Sequence, residues 1–220
     1  GSFGWASNFS FYYAHHMTTI EGGMVCTNDD VVYQQLRMLR SHGMVRETDD
    51  KNLQNKYQES NPELNSDFIF AYPAYNVRNT EIGGIMGRSQ LKRLDMNIER
   101  RTENLSRFLN QIDPAKYKTD FKLEGSSSYA FNLILKEADN DLARRLMSKM
   151  DECGVEFRRG SAGGGNQTRQ PYVKELLPKN FFLSLKETEH IHFFGFYIGN
   201  FPDLKNHEID DICNTLNSVE

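Results

Sequence analysis

Apolar residues recur at two different periods along this chain. Val32, Leu36 and Leu39 share one face at helical spacing and follow Asn28-Asp29-Asp30, whose short polar side chains suit a helix N-terminus. That pattern predicts a helix over Val31–Ser41, stopped by His42-Gly43. A longer stripe runs through Ile82, Ile85, Met86, Leu91, Leu94, Ile98, Leu105, Phe108, Leu109 and Ile112. It predicts helix over Arg78–Ile112, with a bend or break because the run is long for one globular helix, and with close packing at Gly83, Gly84 and Gly87. Strands are expected at Phe9–Tyr13, Gly23–Thr27, Tyr129–Lys136, Val155–Arg159 and the aromatic Phe193–Gly199. Two further helices are expected, one over Asp139–Cys153 with Gly154 as its stop, and one within Asp203–Val219. Arg46–Pro73 is polar and without period, and reads as a long loop of the kind that is usually functional or in contact with a partner. Asp113-Pro114 ends the long helical stretch and sets the expected boundary between domains 1–112 and 113–220.

Composition narrows the class. The chain has 220 residues, 38% of them hydrophobic, and a net charge of -4 with acidic and basic positions interleaved. No basic stripe appears, which argues against nucleic acid as a partner. No apolar run approaches the roughly 20 residues of a membrane span, and Gly1–Ser10 has neither the basic start nor the apolar middle of a signal peptide. Cys26, Cys153 and Cys213 are odd in number and scattered, which disfavours a disulfide framework, supplies no cluster or metal spacing and fits a cytoplasmic location.

Four segments could carry chemistry. His15-His16 follows the first strand; as a metal pair, a proton shuttle or plain surface residues they are undecided, although strand neighbours point to opposite faces and joint ligation is disfavoured. Asn76-Val77-Arg78-Asn79-Thr80-Glu81 can cap the long helix. Phe157-Arg158-Arg159-Gly160 and Asn166-Gln167-Thr168-Arg169-Gln170 flank a glycine run; arginines and exposed glycine amides suit a polyanion, and a solvated loop is the plainer alternative. His190-Ile191-His192, read as a strand, would share a face, but no third metal ligand follows at useful spacing, so no metal site is expected and structural or sugar-contact roles are preferred.

The stretch Ser10-Phe11-Tyr12-Tyr13-Ala14-His15-His16-Met17-Thr18-Thr19-Ile20-Glu21-Gly22-Gly23 resembles the cofactor-lysine segment of the DegT/DnrJ/EryC1/StrS family of pyridoxal phosphate (PLP) sugar enzymes. Those enzymes carry lysine where this chain has His15. Tyr72–Ile82 resembles the family's Asn-x-Arg segment followed by Thr-Glu, and Phe157–Tyr172 is similar to one branch, the 3-dehydratases acting on GDP-4-keto-6-deoxymannose on the route to colitose. The resemblance covers nearly the whole chain, which corresponds to about the second half of such an enzyme. It implies an α/β chain of PLP-dependent transferase fold type I (aspartate aminotransferase-like): the second half of the large domain plus the small α+β C-terminal domain.

The resemblance also implies roles. Ser10 bonds the cofactor phosphate, Asn76 reaches the cofactor phosphate of the neighbouring subunit in a homodimer, and Arg78 is a structural or phosphate-side partner. His16, Thr18 and Thr19 support the loop, and His42 is a loop anchor or sugar contact. Arg159, Arg169, Gln167 and His192 bind the nucleotide-sugar. An imidazole cannot tether PLP covalently but can move protons. The implied enzyme is therefore a dehydratase that holds pyridoxamine phosphate (PMP) untethered, uses His15 as base, expels the sugar C3 hydroxyl and regenerates PMP with glutamate. The N-terminal portion of such an enzyme, with its phosphate-binding turn, ring-stacking residue and pyridine-bonding aspartate, has no counterpart here, so this polypeptide alone is expected to be inactive. Two other readings stand beside this one: a sugar aminotransferase that has replaced its lysine, and a non-catalytic dimerisation or sugar-binding module.

Overall fold

Side-chain caps and strand pairing define the elements of this computed structural model, which describes residues 1–160 and 164–220. Its contacts divide the chain into two units, Gly1–Leu94 and Asp95–Glu220. In the first, strand β1 (Ala6–Ser10) pairs antiparallel with β2 (Gly23–Thr27), with Ser10 opposite Gly23. The strand expected at Phe9–Tyr13 thus lies three residues earlier. The register continues one step past the strands, where the Phe11 N–H donates to Gly22 O at 2.8 Å and closes the loop that follows.

Helix α1 (Asp30–Leu39) begins where the Asp29 carboxylate accepts from Val32 N. The Trp5 indole donates to the same carboxylate at 3.0 Å, and these bonds hold Asp29 below the usual carboxylate range. Helix α2 (Lys51–Ser60) lies inside the stretch expected to be loop. Its turns are polar outside, but the Asp50 side chain caps it at Asn52 N and Leu53 N, and Leu53 and Tyr57, four apart, pack on the small core of Met38, Val45 and Ile69. Between α1 and α2 the chain reverses through His42 at φ 60° and Gly43 at φ 75°. A Cβ on Gly43 would stand 2.9 Å from Tyr72 C and closer still to its O, so this position admits only glycine.

The long periodic stretch is two helices, α3 (Glu81–Leu91) and α4 (Leu94–Gln111), broken at Lys92-Arg93 as its length predicts. Thr80 caps α3 through Gly83 N.

In the second unit α4 packs on an antiparallel sheet of order β3-β5-β4, made of β3 (Ala130–Ile134), β4 (Phe157–Arg159) and β5 (Gly195–Gly199). Alternation puts Phe131, Leu133, Phe196 and Ile198 on one face, where they join Leu105 and Phe108 of α4. The Phe108 and Phe131 rings stack with centroids 4.5 Å apart. Helices α5 (Asn140–Glu152) and α8 (Asn206–Asn217) close this core with Leu146, Met150, Ile209, Cys213 and Leu216. Asp139 caps α5 at 2.9 Å and Gly154 at φ 69° ends it, both as the sequence predicts. Burial pushes the Cys213 thiol up to about 12, which makes it a packing residue rather than a nucleophile.

Between β4 and β5 come a short helix α6 (Pro171–Lys174) and α7 (Lys186–Phe194). The aromatic strand expected at Phe193–Gly199 therefore begins only at Gly195, and Phe193 belongs to the last turn of a helix. A Cβ at Gly195 would lie 2.6 Å from Ile191 O, so the helix-to-strand corner requires glycine. Replacing Gly43 with alanine should destabilise the first unit by at least about 1 kcal/mol, because it adds a backbone clash to a left-handed φ. Urea unfolding reads this as a lower midpoint, and an unchanged midpoint would contradict the geometry.

Candidate functional sites

In the first unit, the loop carrying His15 is tied at several points. Beyond the Phe11–Gly22 bond, Thr19 N donates to Phe11 O at 2.9 Å and the Thr19 hydroxyl donates to Glu21 O at 2.9 Å. The Thr18 hydroxyl accepts from Ile20 N at 3.0 Å, and Thr19 is buried. Both threonines thus act as supports. His15 sits half-buried, its backbone N–H donating to Tyr12 O at 3.0 Å and its ring meeting the Tyr12 ring edge-on at 6.0 Å. Ser10 is exposed at the mouth of this loop, its hydroxyl accepting a long bond from Tyr12 N at 3.4 Å and keeping its own proton to donate.

The segment holding Asn76 reaches the same loop. A Cβ on Gly22 would lie 3.5 Å from Asn79 Nδ2, and one on Gly87 would lie 3.5 Å from Thr19 Cγ2. Asn76 bridges Ser41, while the His42 backbone N–H donates to Tyr75 O and Val77 N–H to Arg40 O. Asn76 is exposed, and its Oδ1 accepts from Arg78 Nε at 2.8 Å, which turns the amide hydrogens outward beside a guanidinium. A hydroxyl, a primary amide and a guanidinium are each donors of a kind that suits phosphate oxygens.

In the second unit Arg159, Arg169 and His192 gather around Phe193. The Arg159 and Arg169 guanidinium carbons lie 5.6 and 5.0 Å from its ring centre, and the His192 ring meets it edge-on at 4.6 Å. Arg169 also lies 4.1 Å over Phe182. Its Nε donates to Glu189 Oε1 at 2.7 Å and its Nη2 donates to Oε2. Asn166 Nδ2 donates to the same carboxylate at 2.7 Å, and Asn166 N–H donates to His192 Nδ1 at 3.1 Å. The bonds from Arg169 and Asn166 hold the Glu189 carboxyl below the usual range. A Cβ on Gly165 would lie 3.1 Å from His192 Cγ and closer still to Nδ1, so the backbone approaches the imidazole only because that residue is glycine. Gln167 accepts from the Tyr172 hydroxyl at 2.8 Å and is exposed. Ser161, Ala162 and Gly163 of the glycine loop lie outside the described residues.

His190 and His192 stand on α7, not on a strand, so they point about 200° apart around the helix. His190 Nε2 is paired with Leu135 O at 2.6 Å, which makes it structural. Among the described residues no group of three His, Cys, Asp or Glu side chains could hold a metal ion, and no helix is long and apolar enough to cross a membrane. A hollow of about 380 Å³ between α1 and α2, lined by Asp30, Gln34, Asp50 and Tyr72, includes none of the expected site residues. Glu189, Asn166 and Phe182 were not expected from sequence. The available signal was the spacing of Glu189 and His192, three apart, which becomes informative only once that stretch is helical.

The sequence profile of the DegT/DnrJ/EryC1/StrS aminotransferase family matches residues 1–217. The chain belongs to this family. A curated relative, the GDP-4-keto-6-deoxy-D-mannose 3-dehydratase of Escherichia coli O55:H7, is 30% identical over 217 residues, covering 98% of this chain and 55% of its own length. The solved structure of the E. coli GDP-4-keto-6-deoxy-D-mannose-3-dehydratase with bound hydrated PLP superposes with a TM-score of 0.83 at 28% identity, covering 98% of this chain and 55% of that one. A GDP-4-keto-6-deoxymannose-3-dehydratase with a trapped PLP-glutamate geminal diamine gives 0.78 at 27% identity over 98% and 55%. The fold is thus the aminotransferase-like fold of these DegT-family enzymes, whose structures carry PLP. The chain spans about half the length of the relatives it matches.

Burial is the main reason the His192 imidazole holds its proton less tightly than an ordinary histidine; Arg169 adds to this and Glu189 opposes it. Only a neutral ring can accept the Asn166 N–H at Nδ1. The stability His192 contributes is therefore present above pH 6.5 and is lost as pH falls through its lowered pKa. NMR titration should place His192 below 6.5, and His192→Gln should flatten that acid-side loss. A value at or above 6.5 would count against the half-buried, amide-bonded ring.

Proposed function

We propose that this chain forms part of a PLP/PMP-dependent dehydratase that removes the C3 hydroxyl of a nucleotide-linked 4-keto-6-deoxy sugar, with GDP-4-keto-6-deoxymannose as the substrate its relatives suggest. The observation that carries the reading is His15, an imidazole standing where the family places its tethering lysine. No lysine occurs before Lys51, so the loop offers no amine in its place. The family's name favours amino transfer, but a transaminase of this fold works through that tether.

The residues of the first unit fit the cofactor. Ser10 would donate its hydroxyl proton to the phosphate, and Asn76, with Arg78 behind it, would address a phosphate in the neighbouring subunit of a homodimer. PMP, when bound, supplies the amine and the conjugated ring that stores electrons. His15 would take the proton at the C4′ carbon, and the proton it then carried would be available to the departing C3 hydroxyl, which would leave as water. The edge-on Tyr12 ring and the bond from His15 N to Tyr12 O fix where the imidazole starts. Because the imidazole forms no bond to the cofactor, it keeps one task through the cycle. The products would be a 3-deoxy ketone and ammonia, with glutamate as the amine donor.

In the second unit Arg159, Arg169, Gln167 and His192 are the residues we assign to the nucleotide-sugar. Arg169 keeps its Nη1 edge for a diphosphate or sugar oxygen, and Arg159 adds a cation.

Assayed together with the N-terminal portion that its relatives carry, the protein should form 3-deoxy sugar and ammonia in equal amounts, with glutamate consumed. His15→Asn should slow water loss by about 10²–10⁴-fold. Mass spectrometry distinguishes the product: an amino sugar without ammonia would overturn the dehydratase reading in favour of amino transfer.

A further inference from the structure

The turn Asn166–Arg169 is held from one side by a single helix face. Glu189 and His192 lie three apart on α7 and so project together. Glu189 grips Arg169 and Asn166 through its carboxylate, and His192 takes the Asn166 N–H. The Glu189 side chain is only 14% exposed, against 31% for Arg169. The guanidinium is thus fixed in three ways: two hydrogen bonds set its plane, Phe182 and Phe193 cover it, and Asn166 locks the turn that carries it. Asn166 is itself buried at 1% exposure, with its Oδ1 accepting from Thr168 N at 3.0 Å.

A carboxylate beside an anion site is a cost to anion binding unless it does something else there. Coulombic repulsion alone would favour its removal. An unrestrained arginine, however, loses rotamer freedom when it orders on a ligand. A guanidinium already oriented by Glu189 loses less, and presents one edge in a fixed direction. We infer that Glu189 is a positioning residue for nucleotide-sugar recognition: it presets Arg169 and the 166–169 turn so that the Nη1 edge meets a diphosphate. This rests on the assignment of Arg169 to substrate made above.

The two effects of Glu189 have opposite signs, which makes the inference testable on the purified protein by calorimetric titration with GDP. Glu189→Gln removes a negative charge and nothing of size. Positioning predicts GDP binding about tenfold weaker, whereas electrostatics alone predicts equal or tighter binding. Glu189→Asp keeps the charge but draws it back by one methylene; positioning predicts weakening there too, and guards against a folding defect in the first variant. In the double variant Glu189→Gln/Arg169→Gln, binding should be no weaker than in Arg169→Gln alone, because Glu189 acts only through Arg169 and its turn. Equal or tighter binding in both single Glu189 variants would overturn the inference and leave the substrate assignment standing. An Arg169→Gln variant that binds GDP as wild type does would sink the assignment and the inference with it, as would a wild-type protein with no GDP affinity. A separate readout needs no nucleotide: the Arg169 Nε proton should be visible and slowly exchanging by NMR in wild type and lost in Glu189→Gln, and its absence from wild type would overturn the grip itself.

Discussion

The hydrogen bond from Phe11 N–H to Gly22 O is the constraint on which the first unit's chemistry depends. It continues the β1–β2 register one step past Ser10 and closes the ten residues between Phe11 and Gly22 into a loop. Ser10 is thereby held at the mouth of the loop and His15 within it, five residues apart. The buried Thr19 and the contact of Asn79 with the Gly22 turn bring the Asn76–Thr80 segment to the same loop. A proton-transfer group works only when its starting position is set before the substrate arrives. Here backbone hydrogen bonds and the edge-on Tyr12 ring contribute to setting it.

The second unit solves a related problem with side chains. Its sheet and helices α4, α5 and α8 share one well-packed core, and Arg169, Glu189 and His192 sit on α7 and the turn before α6. There the polar groups satisfy one another: arginine with glutamate, asparagine with both glutamate and histidine. Such a network is stable only when each member keeps its partner. That explains why a loop rich in glycine and arginine can still present a defined edge.

The sequence revealed elements wherever a local signal and the tertiary packing agreed. Asp29 and Asp139 announce α1 and α5 because a short carboxylate before an apolar face has few other uses. The break between α3 and α4 was expected from length alone. Helix α2 was hidden because its buried side is only Leu53 and Tyr57, too narrow to stand out from a polar stretch. Helix α7 was hidden because Phe193-Phe194 runs into Phe196-Tyr197 without a polar break, and only the corner at Gly195 separates helix from strand. That error also misplaced the histidine pair. The catalytic assignment of His15 came from resemblance; residue chemistry alone left it open. Glu189 was invisible, since one acid among Glu187, Thr188 and His190 carries no pattern until the turn opposite it is in place.

The central claim is that His15 replaces a covalent tether with a mobile proton. The direct test is an absorbance titration of the protein with PLP and PMP, followed by borohydride reduction and intact mass. The account predicts saturable spectral changes with no added mass after reduction. A reduced adduct on a single lysine would contradict it, because the chain would then hold its cofactor as the lysine enzymes do and His15 would lose the role given to it.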